Sequence, residues 1–177
     1  MTRTLTGKPS IDRPWMQYYP PQLMEGLSIP EDTVYEYLLK RCPGDDVAAI
    51  HYYGREITWK EVKEQVDKVA RSLRAIGFGE GDEIPMFLRA VPEFIYVLLA
   101  AEKIGASLLC RDNTIQENVD AVKKSGAKMI IAQDFLSHED LNKYRNEAGV
   151  RGAVLLSPIQ SANRSEVPDY CWNYLES

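Results

Sequence analysis

The sequence predicts an α/β fold in which a mostly parallel sheet is covered by helices on both faces, giving three layers. From Asp82 onward, short apolar runs of strand length alternate with amphipathic runs of helix length, which is typical of consecutive βαβ units. Right-handed crossovers in such units place helices on the faces of the sheet. We expect a β-hairpin and an extended amino-terminal arm before this sheet.

Residues 1–31 predict the extended arm. Five prolines lie in this stretch, with Trp15, Tyr18 and Tyr19 between them. Proline removes a backbone donor and restricts the preceding residue to extended conformations, so the pattern favours an arm laid over a surface rather than a helix. A short amphipathic helix is expected after Thr33.

The next segment predicts a hairpin followed by the clearest helix of the chain. Residues 47–53 are strand-like, Gly54 and Arg55 make a tight turn, and residues 56–58 continue as the partner strand. Thr58 begins a capping box, and apolar residues then recur on one helical face. We therefore predict a helix at 59–76.

The remaining elements are strands and helices in alternation. Strands are predicted at 83–88, 107–110, 128–132 and 153–156, and helices at 92–104, 115–125 and 138–147. Pro92 suits the first turn of its helix, and Thr114 repeats the capping box. Gly77, Gly105 and Gly126 stand where left-handed C-terminal caps belong.

The composition changes after Ser157. A polar linker leads to a short aromatic segment, Tyr170 to Leu175, which needs a neighbouring surface to bury against. We therefore divide the chain into an arm (1–31), an α/β subdomain (32–157) and a linker with a truncated aromatic segment (158–177). The alternative is a C-terminal helix folded back on the same domain.

The composition argues against several classes of protein. Lys and Arg total 21 against 26 for Asp and Glu, and the net charge of -5 argues against a nucleic-acid or anionic-membrane surface. The longest apolar stretch, around Phe94 to Ala101, is far shorter than a membrane span, and the amino terminus has no apolar core of a secretion signal. Three widely spaced cysteines fit neither a disulfide framework nor a zinc site. We expect a mildly acidic, cytoplasmic protein.

No segment predicts a loop that holds nucleotide phosphates. Such a loop needs several glycines and a lysine beside Ser or Thr, between a strand and a helix, so that backbone N–H groups converge on the phosphates. Gly77, Gly79 and Gly81 come nearest, but they follow a helix and precede a strand, the reverse of the dinucleotide-binding order. We expect a turn there.

Three segments resemble the amino-terminal part of the AMP-binding, adenylate-forming superfamily, which includes acyl-CoA synthetases. Residues 53–62, YGREITWKEV, resemble its first core motif, and residues 69–82 follow as the helix and turn do in those enzymes. Residues 92–113, PEFIYVLLAAEKIGASLLCRDN, resemble the second core motif. The lead-in segments RPWMQYYP and TVYEYLLKRC also look like those of AMP-dependent synthetases and CoA ligases, so the resemblance covers most of the chain.

The resemblance implies a parent ligase that activates a carboxylic acid with ATP and Mg²⁺ as an acyl-adenylate, then passes the acyl group to a thiol, coenzyme A being expected. The family's phosphate loop, ribose-binding Asp and C-terminal catalytic Lys lie downstream of where Ser177 falls. We therefore expect no catalytic residue and no cofactor in this chain itself, and the remainder of the parent enzyme as its partner. The alternative is a stand-alone interaction or regulatory module with the same fold.

The candidate binding residues are Arg111, Asp112 and Asn113, in the loop after a predicted parallel strand. Open sheets bind ligands at the carboxyl ends of such strands, and the loop at residues 89–91 has an equivalent position. Arg111 could donate to a phosphate with Asp112 orienting it, so this loop could contact coenzyme A or substrate in the complete enzyme. The alternative is a solvated loop in which Asp112 or Asn113 orders the turn.

We predict structural roles for the two histidines and for Cys110. His51 and His138 have no second ligand at metal spacing, so no metal site is expected. Cys110 is expected to be a small buried hydrophobe, although the adjacent Arg111 could lower its pKa. The helix at 92–104 is apolar nearly all round, and with the aromatic tail it predicts self-association of the isolated chain.

Overall fold

A computed structural model describes residues 6–20, 30–88, 90–111, 114–134 and 136–157. The chain forms two compact units, residues 1–32 and 33–177. In the first unit, helix α1 (Pro9–Asp12) precedes a 3-10 helix (Pro14–Tyr18). The extended arm predicted for residues 1–31 is therefore wrong for these residues.

Proline begins both of these short helices. In the first turn of a helix the missing N–H is no loss, because that donor has no partner within the helix. The Asp12 carboxylate also accepts hydrogen bonds from the backbone N–H groups of Thr6 and Gly7, at 2.9 and 2.8 Å. Proline thus starts local helical turns here instead of keeping the chain extended.

The second unit contains the elements that the sequence predicts. They are α2 (Val34–Lys40), β1 (Ala48–Tyr52), β2 (Arg55–Thr58), α3 (Trp59–Ala75), β3 (Glu83–Phe87), α4 (Pro92–Ile104), β4 (Ser107–Cys110), α5 (Ile115–Ser125), β5 (Met129–Gln133), α6 (His138–Ala148) and β6 (Gly152–Leu156). The predicted strands and helices of this unit are confirmed, and their ends move by no more than about one residue, the usual uncertainty of a helix or strand boundary.

Capping boxes fix the starts of α2, α3 and α5, each pairing a threonine with a glutamate three positions later. At α3, the Thr58 hydroxyl accepts from the Glu61 N–H at 3.2 Å, and the Thr58 N–H donates to the Glu61 carboxylate at 2.9 Å. The bond from the Thr58 backbone is the largest cause of a lowered pKa at Glu61. These helix starts are therefore set by local hydrogen bonds that the sequence already shows.

Strands β3 to β6 form a parallel sheet in the order β4-β3-β5-β6. Successive strand side chains point to opposite faces, so the sheet contributes side chains to two separate hydrophobic cores. Ile84, Met86 and Ile131 pack with residues of α3 and α4, whereas Leu109 and Ile130 pack with residues of α5 and α6. This arrangement confirms the predicted three layers.

Strands β1 and β2 form a separate antiparallel hairpin. Its turn uses Tyr53 (φ 41°) and Gly54 (φ 70°), both left-handed as a two-residue hairpin turn requires. Ile57 of β2 is fully buried and joins the core formed with α3 and α4. The hairpin is therefore anchored to this unit through one side chain of β2 in particular.

Replacing Thr58 by Ala should lower the free energy of unfolding by about 1 kcal/mol, because the Glu61 N–H loses its acceptor. Urea denaturation of the full chain measures this change. Thr58→Ser is the matched control, since it keeps the capping hydroxyl and should stay close to wild type. An alanine variant as stable as the serine variant would contradict the capping role.

The same pair predicts a dependence on pH. The folded pKa of Glu61 lies below its ordinary value, so the ionised carboxylate stabilises the folded state. This stabilisation is complete above the unfolded pKa and is lost as the pH falls through the folded pKa. The stability difference between wild type and Thr58→Ala should therefore shrink in acid. A difference that stays constant as Glu61 becomes protonated would show that its carboxylate plays no part.

Candidate functional site

The carboxyl ends of β3 and β5 lie side by side in the middle of the sheet. The chain runs from β3 to β4 on one side, then crosses to β5 on the other side of β3. This reversal is a topological switch point, and open α/β sheets bind ligands in the crevice outside it. The candidate site is therefore the carboxyl edge, meaning the ends of β3, β4 and β5 and the residues that follow them.

Arg111 follows β4 directly and is exposed at the carboxyl edge. Its charge contributes to the lowered pKa of Glu117, although hydrogen bonds from Thr114 contribute more. The structure therefore leaves an exposed guanidinium at the edge where the sequence predicts a binding loop. Asp112 and Asn113 lie outside the described residues, as does Arg89, so their predicted roles stay predictions.

Sequence reasoning missed two polar residues at the switch point. Gln133 ends β5 with 2% of its surface exposed, and its Oε1 accepts no hydrogen bond from any described residue. The Oδ1 of the next residue, Asp134, is also buried without a partner in the described ranges. Buried polar groups are paired in the great majority of cases, so two unpaired acceptors at a switch point stand out. The signal in the sequence was Gln-Asp directly after the apolar run MIIA, but the predicted strand ended at Ala132.

These groups define what the carboxyl edge can do chemically. Arg111 offers hydrogen-bond donors and positive charge, which suit a phosphate or carboxylate. The oxygens of Gln133 and Asp134 can accept hydrogen bonds, but they are buried beneath this edge and not exposed at its surface. The arrangement supports binding and provides no nucleophile paired with a general base among the described residues.

Cys110 ends β4 and is exposed, so its predicted burial is wrong. Among the described strands, β4 lies at the border of the sheet and pairs with β3 alone. Desolvation by nearby protein atoms nevertheless raises the pKa of the thiol, and no lowering by Arg111 accompanies it. The thiol is therefore protonated at neutral pH, which argues against a reactive thiolate.

The glycine-rich turn at residues 77–81 lies at the opposite edge of the sheet, before β3. The Gly79 N–H donates to the Asp82 carboxylate at 2.7 Å, and the Gly81 N–H donates to the Gly105 carbonyl at 2.9 Å. Both donors are used within the protein, so they do not converge on an external phosphate. The turn predicted at these glycines is confirmed.

The described residues contain no cluster of three or more His, Cys, Asp or Glu side chains that could hold a metal ion. His51 lies on β1, its Nδ1 3.5 Å from the Glu56 carboxylate, and His138 begins α6. Among the helices that the structure describes, none combines the length and the apolar character needed to cross a bilayer.

The profile of the AMP-binding enzyme family matches residues 38–170, well over half of the chain. The chain belongs to this family. The resemblance found in the core motifs is thereby confirmed. The matched region covers the hairpin, the parallel sheet and all the helices from α3 to α6.

Relatives that match part of this AMP-binding chain include a coenzyme A synthetase and a CoA ligase. Acetyl-coenzyme A synthetase from Streptomyces avermitilis is 32% identical over 96 residues, which are 50% of this chain and 15% of that protein. 4-Coumarate:CoA ligase 1 from Petunia hybrida is 28% identical over 122 residues, covering 63% of this chain and 22% of that protein. The chain thus spans less than a quarter of the length of these two relatives.

A solved structure shows the same fold. Apo MatB from Rhodopseudomonas palustris superposes with a TM-score of 0.60 at 19% sequence identity, over 70% of this chain and 25% of that chain. At this identity the likeness concerns the fold alone. It agrees with the parallel sheet, its helical layers and the preceding hairpin.

Replacing Gln133 by Met should leave the free energy of unfolding unchanged or raise it by up to about 1 kcal/mol, because the change removes an unpaired buried acceptor while keeping the side-chain length. Thermal and urea denaturation measure the effect. Gln116→Met is the matched control, because that exposed amide donates to Glu147 at 3.0 Å. A large loss of stability in Gln133→Met would show that the Gln133 amide makes a structural hydrogen bond.

Proposed function

We propose that this AMP-binding chain is the amino-terminal part of an ATP-dependent acyl-CoA ligase. The observation that carries the proposal is the family match over residues 38–170, supported by much longer relatives named as a coenzyme A synthetase and a CoA ligase. In the complete enzyme, a carboxylic acid would be activated with ATP and Mg²⁺ as an acyl-adenylate and then joined to coenzyme A. Residues 32–157 would be the α/β subdomain, preceded by residues 1–31 and followed by the linker 158–177.

We further propose that the chain is inert without the rest of the enzyme. Forming an acyl-adenylate requires groups that neutralise charge on the transferring phosphoryl oxygens. The described residues do not fit this task, because the N–H groups of the glycine turn are already used and no metal-binding cluster is present among them. ATP and Mg²⁺ are therefore assigned to the remainder of the enzyme, and no chemical step is assigned to this chain.

A contribution to coenzyme A or substrate binding fits the carboxyl edge better. The exposed Arg111 can donate two parallel hydrogen bonds to a phosphate, and the edge lies where open sheets bind ligands. We propose that Arg111, with Asp112 and Asn113, forms a substrate-side loop in the complete enzyme. The acyl substrate class stays open.

A stand-alone interaction or regulatory module is the second candidate function. The observation that favours it is that residues 33–157 already bury a core on each face of the sheet. A unit in which both cores are formed can fold and bind a partner protein without catalysing a reaction.

Isothermal titration calorimetry tests the proposed inertness and the Arg111 site separately. Titration with ATP and Mg²⁺ should give no binding heat, and clear binding would contradict the assignment of the nucleotide site to other parts of the enzyme.

Titration with coenzyme A should show weak binding. Replacing Arg111 by Ala should reduce the affinity about tenfold or more, which corresponds to about 1.4 kcal/mol. Arg151→Ala is the matched control, since Arg151 is exposed just before β6, at the opposite edge of the sheet.

The ligase proposal itself is tested on the full product of the source gene. It should form an acyl-CoA from a carboxylic acid, ATP and coenzyme A. A product that contains this chain but forms neither acyl-adenylate nor acyl-CoA with any acid in a broad panel would contradict the ligase and favour the module.

A further inference from the structure

Helix α2 depends on its packing against the rest of the second unit. A helix of seven residues is too short to be stable in water by itself. Its Tyr35 is buried, at 8% exposed, whereas the preceding Val34 is 53% exposed. Leu38 and Leu39 are half-buried against the core that includes residues of α3 and α4. The packing of α2 therefore buries one side chain deeply and two others in part.

Two consecutive residues near the end of α4 hold Tyr35. The Glu102 carboxylate accepts a hydrogen bond from the Tyr35 backbone N–H at 2.9 Å. The Lys103 ammonium lies 5.5 Å from the centre of the Tyr35 ring, within the range of cation–π attraction. Lys103 also forms an ion pair with Asp67 of α3. Tyr35 is thus held by α4 and, through Lys103, is linked to α3.

The bond to Glu102 differs in kind from the capping box at the same helix start. The first N–H groups of a helix have no acceptor within the helix. The Thr33 hydroxyl accepts from the Glu36 N–H at 3.2 Å, and both residues belong to the α2 segment. The Glu102 carboxylate instead comes from α4, and its negative charge is favourable at a helix amino terminus. Of these two bonds, separation of α2 from α4 breaks only the bond to Glu102.

We propose that α2 is a strap that opens from α4 while the rest of the second unit stays folded, with the Tyr35–Glu102 bond as its catch. Segments that bury little apolar surface open locally at a lower free energy than the whole domain. Helix α4 buries seven residues among the described part of the chain, whereas α2 buries Tyr35 alone. Opening of α2 therefore leaves α4 in place.

The strap changes the connection between the two compact units. The first unit ends at Asp32, and α2 begins at Val34. Seven residues span about 10 Å as a helix and up to about 23 Å as an extended chain. Release of the catch thus lengthens the connection to the amino-terminal unit and uncovers the surface of α4 beneath Tyr35.

Native-state hydrogen exchange of the full chain at several low urea concentrations tests the proposal. The N–H groups of Tyr37 and Arg41 report on α2, because they donate to the Thr33 and Leu38 carbonyls at 2.9 and 3.1 Å. Their exchange should occur through an opening that depends little on urea, since little surface is exposed. The N–H groups in the middle of α4 should exchange through a larger, strongly urea-dependent opening. Exchange of the α2 groups only together with those of α4 would overturn the strap.

Replacing Glu102 by Ala tests the catch. The exchange of the two α2 groups should become about tenfold faster or more, because a hydrogen bond to a carboxylate is lost, while exchange in the middle of α4 should stay within about twofold. Glu64→Ala is the matched control, since it removes an exposed carboxylate from α3 and changes the net charge equally. The catch is wrong if Glu102→Ala has no effect on α2, if both variants act equally, or if α3 and α4 accelerate as much as α2.

Discussion

The fold depends on burying both faces of β3 and β5 at once. These two strands are the middle of the sheet, and their side chains enter separate cores: Ile84 and Ile131 on the side of α3 and α4, Ile130 on the side of α5 and α6. All of these side chains are at least 98% buried. Neither helical layer alone could cover strands that are apolar on both faces. This double burial fixes the strand ends from which the loops at the carboxyl edge begin.

Local signals in the sequence predicted the helices of the second unit, because capping boxes and left-handed glycines act within a few residues. Thr58 with Glu61 and Thr114 with Glu117 place the starts of α3 and α5. Features that depend on tertiary context were missed. Proline both breaks and begins helices, so its frequency in residues 6–20 did not distinguish an arm from short helical turns. The pattern of a strand does not say whether it is central or at a border, so Cys110 was expected to be buried.

The sequence predicted where the candidate site lies, but not all of the polar groups that it contains. Loops after parallel strands are expected to bind ligands, and Arg111 lies in such a loop. The buried acceptors of Gln133 and Asp134 could not be predicted, because their burial depends on β6 and on the helical layers around them. The contrast between the two edges of the sheet is informative. The glycine turn satisfies its own donors at the amino edge, while the exposed Arg111 and the buried, unpaired acceptors of Gln133 and Asp134 lie at the carboxyl edge.

Native-state hydrogen exchange of the full chain tests the dependence on β3 and β5 most directly. If the doubly covered strands hold the unit together, the hydrogen-bonded amides of β3 and β5 should exchange most slowly, opening only with global unfolding. The helices should open in smaller steps, with amides of α6 exchanging before those of the central strands. Slower exchange in α3 or α5 than in β3 and β5, or local opening of the central strands while the helices stay protected, would contradict this dependence.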